Sequence, residues 1–211
     1  MMGLRKEIWL LLLNFKRWIN LINKTLAILA GGKSSRMNYN NKALLSYKEK
    51  TFIEHIIDAG KNFKEIIIVA NDNELYKDFN LRVVEDIYKG NGPLSGIHSA
   101  LKNSTTEYVL CIACDMPLTK MEVLDFLGSY KEDYDVLIPK YEDKLQPLCA
   151  IYSKRLEDKI EKSLIHNENK LQRFIMNQNY KVIEGLEKRR FDEKDFLNVN
   201  TPVEYKELEE I

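Results

Sequence analysis

The chain has 211 residues, 45% of them apolar and 30% charged, the mix of a soluble globular protein of about one domain. Its 32 Lys and Arg balance its 32 Asp and Glu, so no global field draws in nucleic acid and any chemistry rests on local charge placement. Three Cys without an export signal point to free thiols, a reducing compartment and a cytoplasmic protein.

Residues 1–24, MMGLRKEIWLLLLNFKRWINLINK, stand apart. The apolar run Ile8–Leu13 is far short of the ~20 residues that span a bilayer, and no small-residue cleavage site precedes the first strand. The stretch is read as an added packing helix or a mis-assigned start, in preference to a membrane anchor. Residues 25–211 are then the working domain.

Leu26–Ala30 predicts a buried strand, and Gly31-Gly32 ends it in a turn. Ser34 and Ser35 follow as helix caps or phosphate donors, with Arg36 and Lys42 bringing positive charge. A strand emptying into such a loop suits phosphate, although an ordinary strand-to-helix turn has the same composition. It is not the G-x-x-x-x-G-K-[ST] loop, whose leading Gly would fall on Ala27, and no G-x-G-x-x-G is present.

Thr51 and Glu54 form a capping box for a helix ending near Gly60. Glu65–Ala70 is a second buried strand, broken by the polar turn 71–73. Leu81–Val84 is a third, delivering Glu85 and Asp86, and Ser95 is expected to cap the helix after it. Glu107–Ala113 is a fourth strand, running into Cys114-Asp115-Met116-Pro117. Thr119 and Glu122 read as a second capping box. Tyr134–Pro139 and Leu145–Ser153 read as a strand pair around a turn. Ser153 caps a charged helix to about Asn167, and Leu171–Gln178 is a shorter helix. Lys181–Ile183 reads as a strand, and Thr201-Pro202-Val203-Glu204 as a third capping box.

Strands alternating with amphipathic helices predict an α/β protein with an open, mostly parallel sheet covered on both faces and a small β-hairpin insertion. Ligands of such sheets sit beyond the carboxyl ends of the strands. Gly31, Asn71, Asp86 and Asp115 all follow strands at that end. Asp115 is either a hard oxygen ligand suited to Mg²⁺ or a turn cap. Lys42 is either a solvated lysine or a phosphate contact. Cys111, Cys114 and Cys149 read as small buried hydrophobes, because Cys111 sits mid-strand and no further ligands complete a zinc set.

Together these segments resemble a known family. LAGGKSSRMNYNNKALL is similar to the L-A-G-G-x-S-x-R-M-G-x-D-K-A-L-L signature of molybdenum cofactor guanylyltransferases. GNGPLSGIHSAL, ACDMP, LQPLCAIY and NVNTPVEY resemble that family's later segments in the same order. The resemblance implies a Rossmann-like, three-layer α/β/α nucleotidyltransferase of the GT-A-like kind. The implied reaction moves GMP from GTP to molybdenum-molybdopterin, releasing pyrophosphate.

The resemblance also assigns residues. Leu29, Ala30, Gly31 and Gly32 line the nucleotide, with Asp86. Lys42 and Arg36 face its phosphates, and Asp115 ligates Mg²⁺. Asn198 and Asn200 face the pterin. Implied protein partners are molybdenum cofactor biosynthesis proteins and molybdoenzyme chaperones, with no nucleic acid and no membrane. Two positions depart from the pattern: Asn38 stands where the family has Gly, and Asn41 where it has Asp. The rival readings are a cytidylyltransferase or another NTP transferase of the superfamily, and a non-catalytic GTP-binding delivery protein.

Overall fold

Leu26, Ala27, Ile28 and Leu29 are all buried, the condition of a strand covered on both faces. The structure, a computed structural model, describes residues 21–31, 41–131, 133–183 and 191–210. The chain runs through β1 (Ile22–Leu29), a short hairpin of β2 (Ser46–Tyr47) and β3 (Lys50–Thr51), α1 (Phe52–Ala59) and β4 (Phe63–Val69). It continues through β5 (Arg82–Val84), α2 (Pro93–Asn103), β6 (Tyr108–Ala113) and α3 (Met121–Ser129). Next come β7 (Val136–Tyr141), β8 (Lys144–Leu145), β9 (Cys149–Ser153), α4 (Glu157–Ile165) and α5 (Leu171–Met176). The last elements are β10 (Tyr180–Ile183) and α6 (Pro202–Glu209).

The main sheet has the order β10-β7-β9-β6-β1-β4-β5. Neighbouring strands are parallel except where β9 runs against β6 and β7. The hairpin β7/β8 closes the turn predicted near Tyr141–Lys144, and β9 then returns into the sheet.

Alternate residues of each strand face opposite layers. Leu26, Ile28, Leu110 and Ile112 pack with Ile53 and Ile56 of α1 and with Leu124 and Leu127 of α3. Ala27, Leu29, Val109 and Cys111 pack with Leu94 and Ile97 of α2, Ile160 of α4 and Phe174 of α5. Fully burying one such Leu or Ile side chain contributes about 1.5–3 kcal/mol. A third cluster joins Tyr47, Phe52, Val199 and Leu208, and so holds the C-terminal segment beside the hairpin that follows β1.

The capping boxes at Thr51 and Thr201 form as predicted. Two other expected caps do not. α2 starts two residues ahead of Ser95, because Gly92 takes φ 68° and Pro93 occupies the first helical position, so Ser95 lies inside the helix. α3 starts at Met121, so Lys120 takes the N-cap position without a side-chain cap, and Thr119 lies one residue outside, its hydroxyl donating to the Asp195 carbonyl at 2.7 Å. β1 also reaches further back than expected. Ile22 pairs with Phe63, and the Lys24 ammonium donates to the Gly128 and Tyr130 carbonyls at 2.6 and 2.8 Å, closing the carboxyl end of α3.

Among the described residues no helix is long and apolar enough to cross a membrane. The leader readings for residues 1–20 lie outside the described residues, as do those for Gly32, Ser34, Ser35, Arg36 and Asn38.

Candidate active site

One register line sets the rim of the sheet. Leu29 of β1 is paired with Val69 of β4 and with Ala113 of β6, and Val69 is paired with Val84 of β5. Gly31, Asn71, Asp86 and Asp115 each lie two residues beyond that line (29, 69, 84 and 113, plus two). The backbone continues the pairing a little past the strands: Ala30 N–H donates to Val69 O and Cys114 N–H to Leu29 O. Four chain-distant residues thus emerge side by side at the carboxyl ends of adjacent strands, where ligands of such sheets bind.

Two groups form there. In the first, the Asp86 carboxylate accepts from Asn71 Nδ2 at 3.3 Å, while Asn71 Oδ1 accepts from the Asp86 backbone N–H. Two glycines flank this carboxylate: a Cβ on Gly31 would lie 3.2 Å from Asp86 Oδ2, and one on Gly96 would lie 3.6 Å from Oδ1. Asp86 Oδ1 is buried without a hydrogen-bond partner. Burial holds its carboxyl above the ordinary aspartate range, with the Asn71 hydrogen bond working the other way.

In the second group the Lys42 ammonium donates to Asp115 Oδ2 at 3.3 Å and to Asn200 Oδ1 at 2.7 Å. Both members of the ion pair are only 17% exposed. Asp115 Oδ1 is buried and unpartnered. Desolvation raises the Asp115 pKa, and the charge and hydrogen bond of Lys42 only partly offset it.

Lys42 comes to this place through its own turn. Asn41 Oδ1 accepts from Ala43 N–H at 3.0 Å, capping a single 3₁₀ turn over Lys42–Leu44. Asn41 Nδ2 donates to the hydroxyl of buried Tyr76 at 2.8 Å. The departure from Asp at this position therefore leaves the capping bond in place. From the other side, Val199 N–H donates to the Asp115 carbonyl at 2.8 Å, which fixes the segment carrying Asn200 beside the Asp115 turn.

The structure thus brings Gly31 to Asp86, and Lys42 to Asp115 and Asn200. Leu29 and Ala30 lie on the strand end between them. Asn198 is not drawn into either group; its amide donates to the Phe196 carbonyl at 3.5 Å. Sequence reasoning missed Gly96, Glu204 and the Asn41–Tyr76 bond. Glu204 was visible as half of a capping box, but its contact with Asn200 was not.

Cys111, Cys114 and Cys149 are free; Cys111 and Cys149 are buried and Cys114 is partly exposed, and desolvation pushes the Cys114 and Cys149 thiols up to about 12, which keeps them protonated. Among the described residues no three His, Cys, Asp or Glu side chains are grouped to hold a metal by themselves. The Asp115 carboxylate, paired with Lys42 through Oδ2 and unpartnered at Oδ1, does fit Mg²⁺, which binds through one or two carboxylates and takes its other ligands from water and substrate phosphates.

A mostly parallel sheet, covered on both faces and carrying acids and a lysine at its carboxyl rim, defines an α/β protein with a ligand site at that rim. The chain belongs to the MobA-like NTP transferase domain family, whose model matches residues 26–182. It is 53% identical over 192 residues to a Clostridium perfringens protein named "Probable molybdenum cofactor guanylyltransferase", covering 89% of this chain and 97% of the relative. A Carboxydothermus hydrogenoformans protein of the same name is 43% identical, covering 88% and 95%. Among solved structures, molybdopterin-guanine dinucleotide biosynthesis protein A of Archaeoglobus fulgidus superposes with a TM-score of 0.75 at 29% identity, covering 88% of this chain and 97% of that one.

Proposed function

We propose that the chain is a molybdenum cofactor guanylyltransferase, transferring GMP from GTP to molybdenum-molybdopterin with release of pyrophosphate. The observation that carries this reading is the meeting of Lys42 and Asp115, 73 residues apart in sequence, at the rim that also holds Gly31 and Asp86. The names of relatives that cover nearly the whole chain supply the base and the acceptor.

In this reading a phosphate oxygen of the pterin attacks the α-phosphorus of GTP. The new P–O bond forms as the bond to the β-phosphate oxygen breaks, and pyrophosphate leaves with that electron pair. The attacking group is already an anion near neutral pH, so no general base is needed. The obstacle is repulsion between two phosphate groups. Lys42 lowers it by holding positive charge beside the triphosphate, at a position only 17% exposed, where that charge counts for more than in open water. Gly31 lets the backbone approach the nucleotide, and Asp86 offers its free oxygen to hydrogen-bond donors of the nucleoside. Asp115 would hold Mg²⁺, which supplies charge neutralisation on the phosphate oxygens. Three free thiols support a cytosolic setting.

GTP labelled at its α-phosphorus tests the reaction type. The label should enter the pterin product, and a γ-label should leave in pyrophosphate. Transfer of the γ-label to any acceptor would contradict the reading.

A further inference from the structure

The Lys42 ammonium has two acceptors of different kinds. Asp115 Oδ2 is charged and 3.3 Å away; Asn200 Oδ1 is neutral and closer, at 2.7 Å. The oxygen assignment at Asn200 follows from the contact itself, because an ammonium only donates. A neutral acceptor fixes the position of a cation without cancelling its charge. Were Asp115 to engage a metal, Asn200 would remain to hold Lys42 in place.

Asn200 is in turn held by Glu204. One oxygen of that carboxylate, Oε2, accepts from the Asn200 N–H at 2.6 Å and from the Thr201 N–H at 2.9 Å. The Thr201 N–H bond belongs to the ordinary capping box at the start of α6, whose other half is the Glu204 N–H donating to Thr201 Oγ1 at 3.3 Å. The Asn200 bond is an addition to that box. It extends the cap one residue back, to the residue that touches Lys42. The α6 end is itself anchored by Leu208 in the third core cluster and by the Tyr205 hydroxyl on the Ser46 carbonyl at 2.7 Å.

We infer that Glu204 is a positioning residue: acting through Asn200, it sets where the Lys42 ammonium stands and so how tightly GTP phosphates are held. The inference rests on the phosphate-facing role of Lys42 given above. It goes beyond that role by making the C-terminal helix cap part of the nucleotide site.

The test is a double-mutant cycle read as GTP affinity, by equilibrium titration with Mg²⁺ and without pterin, so that contacts to the acceptor do not enter. Glu204→Ala should weaken GTP binding on the order of tenfold, as misplacement of a binding group does. In a Lys42→Ala background the same change should add less than about twofold, because the two act as one unit. Glu204→Gln keeps an acceptor oxygen and should restore most of the affinity. Thr201→Ala weakens the α6 cap but leaves the Glu204–Asn200 bond, and should bind GTP like the wild type. Multiplying losses in the double variant overturn the inference, as does a Thr201→Ala loss equal to that of Glu204→Ala, which would mean plain helix destabilisation. A wild type that does not bind GTP overturns both the inference and the function. A wild type that shows the coupling but releases no pyrophosphate with pterin present upholds the inference and removes the transferase reading alone.

Discussion

Gly31 and Asp86, 55 positions apart (86 less 31), meet so closely that a Cβ on the glycine would lie 3.2 Å from Asp86 Oδ2. That is tighter than a side chain and a carboxylate normally sit, so one of them must shift. The carboxylate is also held by Asn71 and backed by Gly96, which restricts where it can go. Gly31→Ala should therefore weaken GTP binding on the order of tenfold through displaced binding groups, with little change in melting temperature. GTP titration and thermal unfolding check this together. Gly60→Ala makes the contrast: its Cβ would stand 2.1 Å from Leu26 Cδ2 in the core, so it should cost stability, about 1–3 kcal/mol, without a direct effect on GTP.

Asp115 sets a trade between stability and turnover. Burial lifts its carboxyl above the ordinary aspartate range, so the folded protein holds that proton more tightly than the unfolded chain does. Stability therefore falls as pH rises from the ordinary aspartate range through the raised value, and the cost of the ionised group persists above it. Asp115→Asn should melt at or above the wild-type temperature near neutral pH, and the gap should close as the pH falls through that window. Its turnover should drop on the order of 10²–10³-fold, the loss of one key electrostatic contact. Melting curves across pH, paired with a pyrophosphate assay, read both effects. A variant clearly less stable at neutral pH would mean that the Lys42 pairing outweighs burial.

The Asn41 turn makes a milder prediction. An aspartate there can accept the same bond from Ala43 N–H, and Tyr76, whose hydroxyl is pushed up to about 12, stays protonated and can donate to it. Asn41→Asp should keep turnover within about threefold of wild type, the spread of surface-level electrostatic changes. Asn41→Ala loses the cap, worth about 1 kcal/mol, and should lower activity by loosening Lys42. Steady-state kinetics of the two variants side by side check the ranking.

The thiols should be silent. Cys111 and Cys149 are fully buried in opposite layers of the core, and Cys114 carries a thiol raised to about 12. The native protein should resist thiol reagents near neutral pH, and Cys114→Ser should retain activity. Rapid labelling of the folded protein with loss of turnover would contradict this.

Much of this arrangement is local and so legible in the sequence. Apolar runs long enough for a strand but too short for a helix marked β1, β4 and β6, and Asp86 and Asp115, just past β5 and β6, marked the rim. The boxes at Thr51 and Thr201 hold because each needs only residues within one turn. The cap expected at Thr119 has the same letters but fails, since α3 starts at Met121 with Lys120 as its N-cap, one residue past where the box needs it, and the Thr119 hydroxyl is turned to a carbonyl 76 residues away. Lys24 looked like the end of a leader because the α3 carbonyls it closes are a hundred residues downstream. The same holds at the site: the pattern named Lys42, Asp115 and Asn200, while the bond from Glu204 to Asn200 needed the folded cap.

The central claim is that this rim moves a guanylyl group, and pyrophosphate release with each of the four NTPs tests it most directly, with and without molybdopterin and Mg²⁺. The account predicts release from GTP, dependent on both additions, with the other three nucleotides far behind. Preferential release from CTP, or none from any nucleotide in the complete mixture, would contradict it.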